Sequence, residues 1–193
     1  MILNKFKIKL YSKQDLRSLF LMCSLPLHFW TLLLTFRDTS WLIERSNLWD
    51  AIGVASYGLI FAFVESLLVF LIVAISGFII PKYWQSQRVA LLSILTLITA
   101  LWSMASQAHA ISGMSFPVWF NDFIVRQEHP VRVLYAIALV LVGPTVILPT
   151  YLILNSDRSF RLVRELIDRL SMLAVLYLVF DSAALVIIII RNI

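Results

Sequence analysis

Five near-continuous apolar stretches, at about 18–36, 52–80, 89–111, 131–154 and 170–190, each reach the roughly 20 residues that a helix needs to cross a hydrocarbon core of about 30 Å. The chain therefore reads as all-α, a polytopic transmembrane helix bundle of five predicted spans. With 193 residues, 61% of them hydrophobic and 14% charged, residues 1–193 make a single integral membrane domain with nothing left for a separate soluble one. The lipid bilayer is the first partner implied.

Charge sets the expected orientation. Lys5, Lys7, Lys9, Lys13 and Arg17 precede the first span, Lys82 and Arg88 follow the second, and Arg158, Arg161, Arg164 and Arg169 follow the fourth. Arg37, Arg45, Arg126, Arg132 and Arg191 fall on the other side. Eleven cations against five predict a cytoplasmic N-terminus and an external C-terminus in a cell membrane. The net charge of +5 is explained by these span ends, so nucleic acid is not an expected partner. Cys23 lies inside the first apolar run, without a second cysteine for a disulfide, and reads as a small buried side chain. That run continues to Phe36 with no small-residue processing site, so the first span is expected to stay as an anchor.

Several segments suit the interface. Lys5–Leu10 alternates basic and apolar residues with a period of two, fitting an extended arm on anionic headgroups or a strand added to a partner. Ser12 and Asp15 form a capping pair before the first helix. Trp41, Leu42, Leu48 and Trp49, mixed with charges, suit the headgroup zone between spans one and two. Phe116, Trp119, Phe120, Phe123 and Ile124 predict a short interfacial helix over about 116–126, lying on the membrane or folding over the bundle mouth. A second interfacial helix is expected at about 157–169, with Phe160, Val163, Leu166, Ile167 and Leu170 on one face. Arg161–Glu165, Arg164–Asp168 and Glu165–Arg169 are at pairing distance in its sequence. Its basic residues Arg158, Arg161, Arg164 and Arg169 are candidates for facing lipid or a cytoplasmic partner.

Three ionisable residues fall near mid-membrane, where each costs several kcal/mol on insertion scales: His28, Glu65 and Asp181. Gly58, Ala62 and Ser66 form a small-residue stripe beside Glu65, which is expected to turn this carboxylate into the bundle. Ser93, Thr96, Ser103 and Gln107, with Ala100 and Ala110, follow a seam of alternating threes and fours and form a candidate partner for that face. Ala174, Tyr177, Asp181 and Ala184 share a face of the last span. Two readings follow, pairing of helices through hydrogen bonds or a shared proton or cation site. Pro26, Pro144 and Pro149 are expected to disturb the helices around them.

Catalytic and phosphate-binding motifs are missing, and neither a metal nor a cofactor is expected. His109 and His129 read as span-end and loop residues. Five spans do not divide into two equal inverted halves, which disfavours the repeat architecture of many transporters. The leading functional expectation is a subunit, scaffold or assembly component of a membrane complex, partnered by another membrane protein or by copies of itself. The alternative is a small oligomeric proton- or cation-conducting channel or transporter built on Glu65, Asp181 and His28.

Overall fold

The computed structural model describes residues 11–45, 47–113 and 115–193; the arm at Lys5–Leu10 lies outside them. The described residues form six α-helices, α1 Lys13–Arg45, α2 Leu48–Ser76, α3 Arg88–Ser112, α4 Val118–Val125, α5 Pro130–Asn155 and α6 Asp157–Asn192, with a single 3₁₀ turn at Lys82–Trp84 between α2 and α3. All but α4 are long and apolar enough to cross a membrane. Their outer faces carry large apolar side chains such as Phe61 (71% exposed) and Leu139 (74%). Surface of that kind belongs against lipid or another protein.

Caps and breaks explain the helix limits. α1 starts where Ser12 and Asp15 exchange side-chain bonds, each accepting from the other's backbone N–H at 3.0 Å. It then continues through Arg45, so the backbone around Trp41 and Leu42, expected as a loop, is helical. α2 begins four residues earlier than hydropathy indicates, because Asn47 caps it by accepting from the Asp50 N–H at 2.8 Å. It stops at Ser76, and Phe78, Ile79 and Ile80 form a turn before Pro81 rather than a last helical turn. The amphipathic segment expected at 157–169 runs into the last span without a break, as Ser156 caps one helix from Asp157 to Asn192.

α1 is the central helix, buried at Leu19, Leu21, Met22, Cys23, Ser24, Leu25 and His28. α2 runs antiparallel to it, with Phe20 edge-on to Phe70 at 5.8 Å and Gly58 against Thr31. α6 runs parallel to α1, with Leu21 and Leu25 packed on Ala174 and Tyr177. The first half of α6 does not lie on lipid by its apolar face, because Phe160, Val163, Ile167 and Leu170 pack on Met22, Ala90, Leu91 and Ile153. α4 is a surface helix whose Ile124 is buried while Trp119 (70%) and Val118 (75%) face outward.

Both ends of α2 are clamped by side chains. At one, Tyr11 donates to the Ala74 carbonyl at 3.1 Å, meets Phe78 edge-on and carries the Arg88 guanidinium 3.6 Å above its ring. Burial pushes the Tyr11 phenol above its ordinary pKa, with Arg88 opposing the shift and Asp15 adding to it. At the other end, Arg191 reaches Asp50 at 2.9 Å and the Trp49 carbonyl. Its guanidinium lies where Gly53 leaves room that a Cβ would fill.

Candidate functional site

The structure brings two of the three intramembrane ionisable residues together. His28 is fully buried, and its Nε2 faces both Asp181 carboxylate oxygens, at 2.9 and 3.0 Å. Its Nδ1 lies 2.9 Å from the Ser24 carbonyl and 3.0 Å from the Ser24 hydroxyl. Tyr177 stacks on the imidazole, centroids 5.5 Å apart and planes 13° from parallel. Ala174 and Ala184, both buried, flank Tyr177 and Asp181 along α6. Small side chains there bring α1 close enough for the two polar groups to meet.

A carbonyl oxygen accepts and never donates, so a proton on Nδ1 suits the Ser24 carbonyl, whereas in the other tautomer the Ser24 hydroxyl donates to Nδ1. With Nδ1 protonated, a second proton between Nε2 and the carboxylate leaves the pair neutral overall. Neutrality and full satisfaction are what a buried polar pair in lipid requires. Ser24 escaped the sequence reading, although it stands one turn before His28, the spacing of side-chain neighbours on a helix, whereas Tyr177 was expected on the Asp181 face. Among the described residues, no three His, Cys, Asp or Glu side chains gather as a metal site.

Glu65 is not part of this pair, and the inward orientation expected for it does not occur. The small stripe does face α1, with Ala62 and Ser66 buried. Leu59, Ser66 and Ala74 carry the buried arc of α2 to one side of Ala62. Glu65 falls about 60° to the other side, at 100° per residue, and is exposed. It stands about 17 Å from the Ser76 end of α2 and about 26 Å from the Leu48 end. Among the described residues none bonds to it.

The seam of α3 meets α1 rather than Glu65. Ser93 is buried, Thr96 approaches Cys23 and donates to the Leu92 carbonyl, and Gln107 accepts from Trp30 Nε1 at 2.6 Å. α2 and α3 diverge above α1, leaving an apolar groove of about 410 Å³ between Val69 and Val73 on one wall and Thr96, Ser103 and Gln107 on the other. Glu65 stands one helical turn from Val69 on α2, outside the lining of this groove. Arg158, Arg161, Arg164 and Arg169 are all exposed on α6. Of their expected pairings, Arg169 with Glu165 forms, at 2.5 Å. His109 packs against Phe116 at the far end of α3, centroids 4.8 Å apart.

Comparison with known protein families, curated proteins and solved structures finds no match to this chain.

Proposed function

We propose that this protein is a subunit or assembly component of a membrane complex, in which Glu65 and the α2–α3 groove receive a transmembrane helix of another membrane protein. One observation carries the reading: a carboxylate stands exposed on an apolar face in the middle of α2, with no donor among the described residues. Left against lipid, such a group costs several kcal/mol, and a partner supplying a donor removes that cost. Ser103 and Gln107 on the opposite wall offer further polar contacts to the same helix. The distribution of Lys and Arg supports a cytoplasmic N-terminus for the assembled protein.

The alternative, an oligomer that conducts protons or cations, is favoured by the same exposed carboxylate if copies of the chain close around it. It draws no support from His28 and Asp181, which satisfy each other in a buried site that lines neither large cavity.

The test is to extract the full-length chain in native lipid nanodiscs, weigh the particles and identify companions by mass spectrometry, for the unaltered protein and for Glu65→Leu. A stoichiometric companion that Glu65→Leu releases, with the helical content unchanged, is the expected result. Identical particles from both overturn the reading. A homo-oligomer whose ion flux stops in Glu65→Gln while its mass stays constant supports conduction instead.

A further inference from the structure

Packing sets the depth of the first half of α6. Ile167 shares a core cluster with Met22, Leu91 and Ile153, and Phe160 and Val163 pack against it. Each of those three partners lies within two turns of the end of its apolar run, where α1 and α3 enter the bilayer and α5 leaves it. Ser156 alone separates α5 from α6, and the last apolar run begins at Leu170, so residues 157–169 are tied to span ends on both sides. This stretch therefore lies against the bundle at the level of the lipid headgroups.

Around the helix the surface changes in a fixed order. Val163, Ile167 and Leu170 face the bundle. At 100° per residue Leu166 and then Leu162 come next, both exposed, followed by Arg169 and Arg158 within about 40° of Leu162 and by Arg161 about 60° further round. Along the helix the same stripe continues into Leu173 and Leu176, exposed on the membrane-spanning half. An apolar shoulder continuous with the lipid-facing side of the span thus borders a row of guanidinium groups, the arrangement of an interfacial amphipathic helix. Arg169 is held by Glu165 at 2.5 Å, and Arg158 and Arg161 stand nearer the start of the helix, both exposed. In the sequence, the segments at this end of the spans carry eleven Lys and Arg against four Asp and Glu, and those at the other end five against five.

We propose that this flank of α6 binds anionic phospholipid, with Arg158 and Arg161 on the headgroup phosphates and Leu162 and Leu166 on the upper part of the acyl chains. A guanidinium meets a phosphate through paired N–H donors, and each cation close to an anionic surface adds to the attraction. A zwitterionic headgroup carries its own ammonium beside the phosphate and gains less from the same arginines. Lys13 and Arg17, exposed at the start of α1, extend the positive field. The leucine shoulder selects lipid over a soluble anion, which has no chain to place there. The α2–α3 groove is lined from α1, α2 and α3, so this surface and the docking of a partner helix are tested through different residues.

The experiment is native mass spectrometry of the full-length protein in micelles doped equally with phosphatidylglycerol, phosphatidylcholine and phosphatidylethanolamine of identical acyl chains. Phosphatidylglycerol is expected to be retained over both others. Arg158→Gln lowers that retention about fivefold, and about 25-fold when Arg161→Gln is added, the effect of one and of two cations near an anionic surface. Replacing both arginines by lysine keeps the preference, which separates loss of charge from loss of fold. Arg126→Gln with Arg132→Gln, exposed at the other end of the bundle, leaves it unchanged. Equal retention of the three lipids overturns the proposal. So does a preference that survives Arg158→Gln with Arg161→Gln, or one lost as fully in the Arg126 and Arg132 variant. Displacement of the lipid by soluble glycerol phosphate at matched concentration marks a site for a free anion and overturns the lipid source.

Discussion

Replacing Asp181 tests whether a shared proton between α1 and α6 holds the bundle together. Asp181→Ala leaves His28 Nε2 fully buried and without the two oxygens it now meets at 2.9 and 3.0 Å. An unsatisfied buried group costs about 1–3 kcal/mol, and the vacated side-chain volume adds about 1 kcal/mol. Against this, hydrogen bonds between membrane helices average about 0.6 kcal/mol and reach about 1.7, because the unfolded chain in lipid finds partners too. His28 has no access to outside groups, which places this pair near the upper limit, with a loss of about 2–3 kcal/mol for Asp181→Ala. Asp181→Asn keeps the shape and one bond, since the introduced amide offers Nε2 a donor or an acceptor according to the tautomer that Ser24 sets. Its expected loss is about 0.5–1 kcal/mol. Reversible unfolding in mixed micelles, followed by helical circular dichroism, measures both, and a cycle with His28→Ala isolates the coupling, expected at about 1.5 kcal/mol. A coupling below about 0.5 kcal/mol refutes the clamp. An amide variant as costly as the alanine one shows instead that the carboxylate's charge, not its hydrogen bond, holds the site.

Four further outcomes follow from the ends of α2 and from α5. Gly77→Ala places a Cβ against the Tyr11 hydroxyl and 2.8 Å from a Leu92 methyl. The ring must leave Ala74, at a cost of about 1–3 kcal/mol in the same unfolding assay. Gly143→Ala, with nothing within 4 Å of the new Cβ, gains up to about 0.5–1 kcal/mol from helix propensity. Because the folded Tyr11 pKa is raised above the ordinary 10.0, its contribution is present below that value and is lost as pH rises through the folded pKa. Unfolding titrated into the alkaline range should show that loss in the unaltered protein and its disappearance in Tyr11→Phe. Asp50→Asn, at the half-exposed pair with Arg191, costs about 0.2–1 kcal/mol and less at high salt.

What the sequence displays and what it hides separate along physical lines. Span number is a matter of apolar length against bilayer thickness, and all five long helices were legible. Helix limits were less so, because hydropathy counts Phe78, Ile79 and Ile80 as apolar whether or not they are helical, whereas the Asn47 cap and the turn after Gly77 decide where α2 starts and stops. The amphipathic change at Leu170 marks a change of neighbours, from Met22 and Ile153 to Leu21 and Leu25, and no residue there breaks the backbone, so two expected elements are one helix.

The candidate site divides in the same way. Depth along a helix is local arithmetic, and it put His28, Asp181 and Glu65 near one level. Which flank of a helix its neighbours cover is not local. A small-residue stripe says that another helix approaches α2 along Gly58, Ala62 and Ser66, yet residues on both flanks of that stripe stand equally near it. The choice is made by α6, which closes on α2 through Arg191 and Asp50, 141 residues apart in sequence. With the buried arc of α2 on the Leu59 side of Ala62, Glu65 is left facing outward. The carboxylate that local reasoning placed inside the bundle thus faces outward from an apolar stretch of α2, and is the residue on which binding of a second membrane protein is best tested.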